Sequence, residues 1–313
     1  MKLLLVGGAG FIGLNYLNAL VSNELSGISS IKVLDSFTYA SNRHELGKIA
    51  GDFELEILEF DIRNRNQIMS ISGNFDYVLN FAAESHVDRS IQDSTSFVSS
   101  NIVGVQNLLD FCLLKSAKFL QVSTDEVYGS IESGSWNEDC ALQPNSPYAA
   151  TKASADLLVR SYVKTFNLNA VVTRSCNNFG PFQHVEKFMP TMITHLINGD
   201  LVPIYGNGMN TREWVFVGDN IQGIHKALVY GNEGSVYNLG SGHEYTNIDL
   251  FKEVCRVGGF DESLFKFVQD RKGHDYRYSV DFEKASQELN YSPSSEMASQ
   301  LKATIEWYYE RKL

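Results

Sequence analysis

Apolar residues occur in short uninterrupted runs along the first half of the chain, and stretches with helical periodicity separate these runs. Apolar runs of this length, bounded by turn residues, predict strands that are buried on both faces. The predicted strands cover residues 2–6, 31–34, 55–60, 77–83 and 118–123. Because strands and helices alternate, we predict an α/β fold built on a Rossmann-type, doubly wound parallel sheet.

Two longer helices are predicted within this half of the chain. Residues 101–115 carry apolar side chains three and four positions apart, which indicates one buried face. Residues 149–160 contain good helix formers and neither Gly nor Pro. Both helices are expected to cover the sheet or to pair with a second copy of the chain.

The pattern changes after residue 170. A strand is predicted over residues 171–174, then a turn at 177–181 and a helix that ends near residue 198. Short strands and turns follow at residues 202–208, 211–217 and 235–240. We therefore predict a Rossmann domain at 1–173 and a smaller C-terminal α/β lobe at 174–313. One or two segments of the lobe are expected to return and complete the first sheet.

Three glycines follow the first predicted strand. Gly7, Gly10 and Gly13 are spaced GxxGxxG, and a helical pattern begins at residue 11. This is a variant of the dinucleotide fingerprint, in which a tight turn brings the backbone to a pyrophosphate at a helix N-terminus. Asp35 ends the second strand about 20 residues later, where a carboxylate accepts hydrogen bonds from a ribose and favours NAD over NADP. The alternative is a plain strand-to-helix turn.

A second group of polar residues follows the strand at 118–123. Thr124, Asp125 and Glu126 fall at its carboxyl end, the edge at which open α/β sheets bind ligands. Tyr148 and Lys152 are four residues apart on a predicted helix and share a face. We expect the ammonium group to lower the pKa of the phenol, so that Tyr148 can take a proton from an alcohol. Each feature alone is commonplace, and the prediction depends on their combination.

Composition narrows the classes of function. The 313-residue chain is 43% hydrophobic and carries a formal charge of −11, which argues against nucleic-acid and membrane partners. Its four cysteines are far apart without metal-ligand spacing, so we expect reduced thiols and no metal site. The apolar start is too short for a signal peptide, and we expect that no later segment approaches the ~18 apolar residues of a membrane span. We expect a soluble, cytoplasmic protein.

Several segments together resemble a known family. They read GGAGFIG at 7–13, FAAESHVDRS at 81–90, STDEVYG at 123–129, YAATK at 148–152, NNFGP at 177–181, EK at 186–187 and GHDYRY at 273–278. They resemble the extended short-chain dehydrogenase/reductases and, within these, the nucleotide-sugar 4,6-dehydratases. The Asp-Glu pair in STDEVYG is specific to the dehydratases.

The resemblance implies a homodimeric enzyme that converts a nucleotide-diphosphate hexose, with dTDP-glucose as the expected donor, to its 4-keto-6-deoxy derivative on one bound NAD. Tyr148, assisted by Lys152 and Thr124, would take the proton of the sugar 4-hydroxyl as hydride leaves C4. Glu126 would remove the C5 proton, and Asp125 would protonate the departing C6 hydroxyl. Hydride would then return to C6.

The resemblance also implies binding residues. The first domain would bind NAD, and the lobe would bind the nucleotide sugar. Cofactor contacts are expected from Gly7, Gly10, Phe11, Ile12, Gly13, Asp35, Asp61, Ile62, Ala82, Ala83, Ser123, Tyr148 and Lys152. Substrate contacts are expected from Ser85, Asn177, Glu186, Lys187, Arg212 and His274. Arg212 suits the diphosphate because guanidinium groups bind such oxygens in a bidentate manner. His86 and His184 are interpreted as ordinary packed or surface histidines.

Three alternatives stay open. UDP-glucose and UDP-N-acetylglucosamine 4,6-dehydratases share the same catalytic residues, so the base and the C2 substituent are not determined. UDP-sugar decarboxylases and 4-epimerases share the glycine loop, Asp35 and the Tyr/Lys pair, but generally lack the Asp-Glu pair, so Asp125 favours dehydration. A non-catalytic NAD-binding protein would be expected to have lost part of the catalytic set, and all of it is present.

Overall fold

A computed structural model describes residues 1–49, 55–270 and 273–311 of the chain. The strands are β1 (Lys2–Val6), β2 (Ser30–Asp35), β3 (Leu55–Glu59), β4 (Tyr77–Asn80), β5 (Lys118–Thr124), β6 (Ala170–Ser175), β7 (Asn177–Phe179), β8 (Val202–Tyr205), β9 (Thr211–Phe216), β10 (Val236–Leu239), β11 (Glu244–Thr246) and β12 (Phe265–Val268).

Helices connect most of these strands. They are α1 (Phe11–Val21), α2 (Arg43–Ile49), α3 (Arg65–Met69), α4 (Val87–Gln92), α5 (Thr95–Val98), α6 (Val105–Lys115), α7 (Pro147–Phe166), α8 (Phe188–Asn198), α9 (Val217–Tyr230), α10 (Asn247–Gly258), α11 (Glu283–Leu289) and α12 (Met297–Arg311). A π-helical segment, Ser99–Gly104, joins α5 to α6, and a 3₁₀ turn, Asp125–Tyr128, follows β5.

Seven parallel strands form the main sheet in the order β3-β2-β1-β4-β5-β6-β10. The strand order reverses direction between β1 and β4, as in a doubly wound fold. The predicted Rossmann-type α/β fold is confirmed. A three-stranded sheet, β11-β9-β7, and the pair β12-β8 lie in the second half of the chain.

The central strands are apolar throughout because helices cover both faces of the sheet. Leu3 and Leu5 belong to one core cluster with residues of α1 and α9, whereas Leu4 and Val6 belong to another with residues of α6 and α7. Successive side chains of a strand point to opposite faces, so one strand supplies both clusters. Strand β10 and helix α9 come from the second half of the chain, yet they complete the sheet and one of its layers.

Two strand predictions differ from the structure. Strand β4 ends at Asn80 instead of residue 83, because the Asn80 side chain accepts a hydrogen bond from the Ala82 N–H at 3.0 Å and turns the backbone out of the sheet. Residues 177–179, predicted as part of a turn, form β7, which pairs in parallel with β9. That pairing joins residues far apart in sequence, and local composition gives no sign of it.

The helical run Thr95–Lys115 begins six residues earlier than predicted. By length and composition it is apolar enough to cross a membrane, and 56% of its most apolar window is buried inside the protein. The expectation that no later segment approached this composition is wrong here, because serine and asparagine interrupt an otherwise apolar stretch. A core helix passes the same test of length and composition.

Gly13 offers a test of how tightly the glycine loop packs. A Cβ at Gly13 would lie 2.5 Å from the carbonyl oxygen of Gly7, whereas one at Gly47, also within a helix, would meet nothing within 4 Å. We expect Gly13→Ala to lower the free energy of unfolding by about 1–3 kcal/mol through overpacking. Gly47→Ala, the matched control, should raise it by about 0.5–1 kcal/mol. Equal effects in chemical denaturation would contradict the packing seen at Gly13.

Candidate active site

The carboxyl end of β5 carries the candidate catalytic acids. Thr124 ends the strand, and its hydroxyl accepts a hydrogen bond from the Glu126 N–H at 3.3 Å, which caps the 3₁₀ turn. The same hydroxyl donates to Asp125 Oδ1 at 3.1 Å. The hydroxyl of Thr124 therefore holds both acids next to the sheet edge.

Helix α7 carries the Tyr/Lys pair along this edge. Ser146 caps the helix by accepting a hydrogen bond from the Ala149 N–H at 3.1 Å, and Pro147 occupies its first turn. Serine at the cap and proline just inside are the usual start signals of a helix. They place Tyr148 in the first turn and Lys152 one turn later, both buried.

The two acids lie in different surroundings. Asp125 is buried, and its Oδ2 atom has no hydrogen-bond partner within the part of the chain that the structure describes. Burial, together with the charges of Glu126 and Glu213, raises the pKa of Asp125 well above its ordinary value. Glu126 is only half-buried. Burial therefore favours the protonated form of Asp125, while Glu126 is the more open to solvent.

The expected lowering of the Tyr148 pKa is wrong for the protein alone. Burial raises the pKa of Tyr148, the charge of Glu126 raises it further, and a hydrogen bond with Thr124 opposes them only in part. The four-residue spacing correctly predicts the face that Tyr148 shares with Lys152. It does not reveal how deeply that face is buried, and the depth of burial decides the sign of the shift.

The ammonium group of Lys152 is anchored on the neighbouring strand. Its Nζ donates to the carbonyl oxygen of Val122 at 2.7 Å. Burial lowers the pKa of Lys152 to about 8, and the carboxylate of Asp156 acts in the opposite direction. At neutral pH the side chain is still mostly protonated, so a positive charge remains one helical turn from Tyr148.

The glycine loop after β1 closes too tightly for side chains. Gly7 has φ of +77°, and a Cβ there would lie 2.5 Å from the backbone nitrogen of Ala82. Helix α1 begins at Phe11 with Gly10 as its N-cap, and no side chain caps it. Its first N–H groups are therefore left to solvent or to a ligand, which is the arrangement that binds a pyrophosphate.

Asp35 borders the glycine loop from the end of β2. Its Oδ2 accepts a hydrogen bond from the Ala9 N–H at 2.9 Å, and its Oδ1 accepts one from the Ser41 hydroxyl at 2.7 Å. Oδ1 also accepts a hydrogen bond from the Phe37 N–H at 2.8 Å, so Oδ2 is the oxygen that can accept a further one. Because Asp35 also lines the cleft, it can bind a ribose hydroxyl as predicted.

The residues expected to contact the cofactor all line one continuous cleft at the carboxyl edge of the sheet. They are Gly7, Gly10, Phe11, Ile12, Gly13, Asp35, Asp61, Ile62, Ala82, Ala83, Ser123, Tyr148 and Lys152. The buried hydroxyl of Ser123 has no hydrogen-bond partner among the described residues, so a ligand there would satisfy it. This lining fits NAD, with an uncapped helix for the pyrophosphate and a carboxylate for a ribose.

A further compartment of about 370 Å³ continues past Tyr148 into the second half of the chain. Its wall contains Thr124, Asp125 and Glu126, together with five of the six residues expected to bind the substrate: Ser85, Asn177, Glu186, Lys187 and Arg212. His274 is not among the lining residues. Its ring contacts Tyr205, which does line the compartment, and its Nδ1 lies 2.6 Å from Asp270 Oδ1.

Three of these predicted substrate residues have structural partners of their own. The Arg212 guanidinium donates to the carbonyl oxygen of Asp275 at 2.9 Å and lies over the ring of Tyr278. Glu186 accepts two hydrogen bonds of 2.8 Å from Arg89. Lys187 donates to the carbonyl oxygen of Ser85 at 2.7 Å, so it joins the segment before α8 to the segment after β4.

Sequence analysis missed several lining residues, among them Tyr39, Cys176, Gln183, Tyr205 and Trp214, and both His86 and His184 line the cleft. Trp214 could have been found, because it stands two positions after Arg212 on a strand and therefore shares its face. The others depend on tertiary contacts.

Comparisons with known proteins agree with this geometry. The family described as "GDP-mannose 4,6 dehydratase" matches residues 4–304. The chain is 44% identical over 309 residues to "Low-salt glycan biosynthesis protein Agl12" of Haloferax volcanii, covering 98% of each chain. It is 43% identical over 312 residues to "dTDP-glucose 4,6-dehydratase" of an Actinoplanes strain, again covering 98% of each.

A solved structure gives the same result. The crystal structure of DesIV, a dTDP-glucose 4,6-dehydratase from Streptomyces venezuelae with NAD and TYD bound, superposes with a TM-score of 0.97. The two chains are 43% identical, and the match covers 100% of this chain and 98% of the other. The resemblance to the nucleotide-sugar 4,6-dehydratases is thus confirmed, and the chain belongs to the GDP-mannose 4,6 dehydratase family.

Proposed function

We propose that the protein dehydrates a nucleotide-activated hexose, with dTDP-glucose as the favoured donor and NAD as the cofactor, to the 4-keto-6-deoxy sugar. The observation that carries the proposal is the pair of acids at the end of β5, where a buried Asp125, with its pKa raised, stands beside a more exposed Glu126. The names of the relatives and of the matching solved structure support the choice of donor and cofactor.

Proton removal from the sugar 4-hydroxyl is assigned to Tyr148. When bound, NAD supplies the chemistry of accepting a hydride from C4 and giving one back to C6. In the protein alone the Thr124 hydroxyl donates to Asp125 Oδ1, and it would turn to the Tyr148 oxygen as the phenolate forms. A hydrogen bond from Thr124 and the positive charge of Lys152 both favour the phenolate.

Elimination of water is assigned to the two acids. Once C4 is a ketone the C5 proton becomes acidic, and Glu126, in the more open position, accepts it. Asp125 gives its proton to the departing C6 hydroxyl, which leaves as water. The two steps need opposite protonation states, and the difference in burial between neighbouring carboxyls supplies them.

The division of the chain is part of the proposal. Residues 1–173 would hold the cofactor and residues 174–313 the nucleotide sugar. The division is supported by the lining of the cleft, because its cofactor side is built mainly from the first half and the further compartment adds residues of β7, α8 and β9. A cytoplasmic location is supported by the four cysteines, which are all free thiols.

A decarboxylase or a 4-epimerase is the second candidate function. It would use the same glycine loop and Tyr148 with Lys152. Neither reaction needs an acid for a leaving hydroxyl, so the buried proton of Asp125 favours dehydration. Dehydratases that act on UDP-glucose or UDP-N-acetylglucosamine would use the same five catalytic groups.

A parallel assay of three donors tests the proposal. The purified protein is incubated with dTDP-glucose, UDP-glucose or UDP-N-acetylglucosamine, and the masses of the products are measured by mass spectrometry. We expect dTDP-glucose to lose one water, without net consumption of added NAD. If a UDP-sugar loses water and dTDP-glucose does not, that UDP-sugar is the donor. No water loss from any of the three would overturn dehydration of these donors.

The roles of the acids are tested with Asp125→Asn combined with Glu126→Gln. We expect C4 oxidation to persist, seen as the absorbance of reduced nicotinamide, while water loss falls by at least about 100-fold because acid and base are both missing. The control combines Glu132→Gln with Asp139→Asn, which makes the same two kinds of substitution at exposed acids. Water loss at the wild-type rate in the first variant would exclude both assignments.

We further propose that the protein is a homodimer. Exposed apolar side chains lie on two helices that pack against each other: Val98, Val103 and Leu114 on the run Thr95–Lys115, and Leu157 and Phe166 on α7. An exposed apolar face of this kind on paired helices supports an interface with a second copy.

The interface is tested with Leu157→Arg. We expect this variant to sediment as a monomer in analytical ultracentrifugation, because a charge would be buried between the copies. Phe267→Arg is the control, since Phe267 is also 54% exposed but lies on β12 in the other half of the chain. A monomeric wild type, or a dimeric Leu157→Arg, would contradict the proposed interface.

A further inference from the structure

Helix α7 carries a third ionisable residue in line with Tyr148 and Lys152. Asp156 follows Lys152 by four residues, so the three side chains stand one above another on the same buried face. All three are at least nine-tenths buried. The proposed chemistry uses Tyr148 and Lys152 and assigns nothing to Asp156.

Asp156 forms an ion pair with a buried arginine. Its Oδ2 lies 2.9 Å from Arg174 Nε, on strand β6. Arg174 also donates to the Tyr128 hydroxyl at 2.7 Å, which fixes its position. The other carboxylate oxygen, Oδ1, is buried and has no hydrogen-bond partner in the described ranges. The Arg174 guanidinium therefore balances the buried carboxylate of Asp156.

Among the ionisable groups around helix α7, one opposes the effect of burial on Lys152. These groups are Tyr148, Asp156, Arg160, Tyr162 and Lys164 on α7, Asp88 and Arg89 on α4, Asp110, Cys112 and Lys115 on α6, Lys118 on β5, Asp125, Glu126 and Tyr128 on the 3₁₀ turn, and Arg174 on β6. Within the described chain, Asp156 is the one that offsets the effect of burial on the Lys152 pKa.

The geometry points to Asp156 as a positioning residue that keeps Lys152 in its ammonium form, with Arg174 holding the Asp156 carboxylate in place. Asp156 touches neither the cleft for the cofactor nor the compartment for the sugar, and it acts through Lys152. The inference rests on the proposed function, because a charged Lys152 matters to proton removal by Tyr148. Loss of the carboxylate would leave a buried amine with no negative charge to balance it.

The test follows the first chemical step on its own. In the Asp125→Asn/Glu126→Gln background, C4 oxidation is measured against pH, so that ionisation of Asp125 does not contribute. Activity is expected to fall at alkaline pH as Lys152 loses its proton. Adding Asp156→Asn should move this alkaline limb to lower pH by about one unit, as expected for loss of a nearby opposite charge.

Arg174→Met is the matched control. It breaks the same buried ion pair and should destabilise the fold to a similar extent, but it leaves the carboxylate. Its alkaline limb should stay in place or move to higher pH. The combination Asp156→Leu with Arg174→Met removes both charges without leaving either unpaired. It should restore stability yet keep the limb at lower pH. If the alkaline limb of C4 oxidation moves by the same amount in all three variants, Asp156 has only a structural role.

A second readout needs no turnover and uses the cofactor-free protein. The free energy of unfolding is compared between a parent and its Lys152→Met variant across the alkaline range. The folded pKa of Lys152 is about 8, below its ordinary value of 10.5. Its contribution to stability is therefore fully present above the unfolded pKa and is lost as pH falls from there to about 8.

Asp156→Asn should extend this loss to lower pH, because the folded pKa of Lys152 would fall further. An unchanged pH window would overturn the inference. The unfolding comparison is independent of the reaction. Even if the protein dehydrates none of the three donors, this measurement shows whether Asp156 controls the charge of Lys152.

Discussion

Burial of ionisable groups at the carboxyl end of β5 is the constraint on which the site depends. Burial raises the pKa values of Asp125 and Tyr148 and lowers that of Lys152. Each shift favours the neutral form, and a charge survives where a partner of opposite sign is built in, as for Asp156 with Arg174. The protonation states that the site favours therefore depend on packing as much as on residue type.

Both halves of the chain contribute to the packing around these buried groups. Strand β6 carries Arg174 and borders β5, while β10 from the second half protects the other edge of β6. Contacts across the cleft, such as Lys187 with the carbonyl oxygen of Ser85, join the halves again above the sheet. The walls around the candidate catalytic groups are consequently fixed from both sides.

Much of the fold could be predicted from the sequence because its signals are local. The run at Lys2–Val6, the glycine spacing and the Tyr/Lys spacing each lie within a few residues, and the structure contains them as predicted. Strand β7 could not be predicted, since its partner β9 lies more than thirty residues away. Two features of the site could not be predicted either. They are the direction of the Tyr148 pKa shift and the position of His274 outside the compartment, and both depend on depth of burial and on contacts between distant segments.

The return of β10 to the main sheet has a consequence for synthesis of the chain. On the ribosome, β6 is complete well before β10 exists, and residues 176–235 must be made in between. At about 5–20 residues per second, roughly 3–12 seconds pass during which the backbone edge of β6 has no neighbour. A nascent sheet of six strands must therefore be kept from pairing with other chains until its seventh strand emerges.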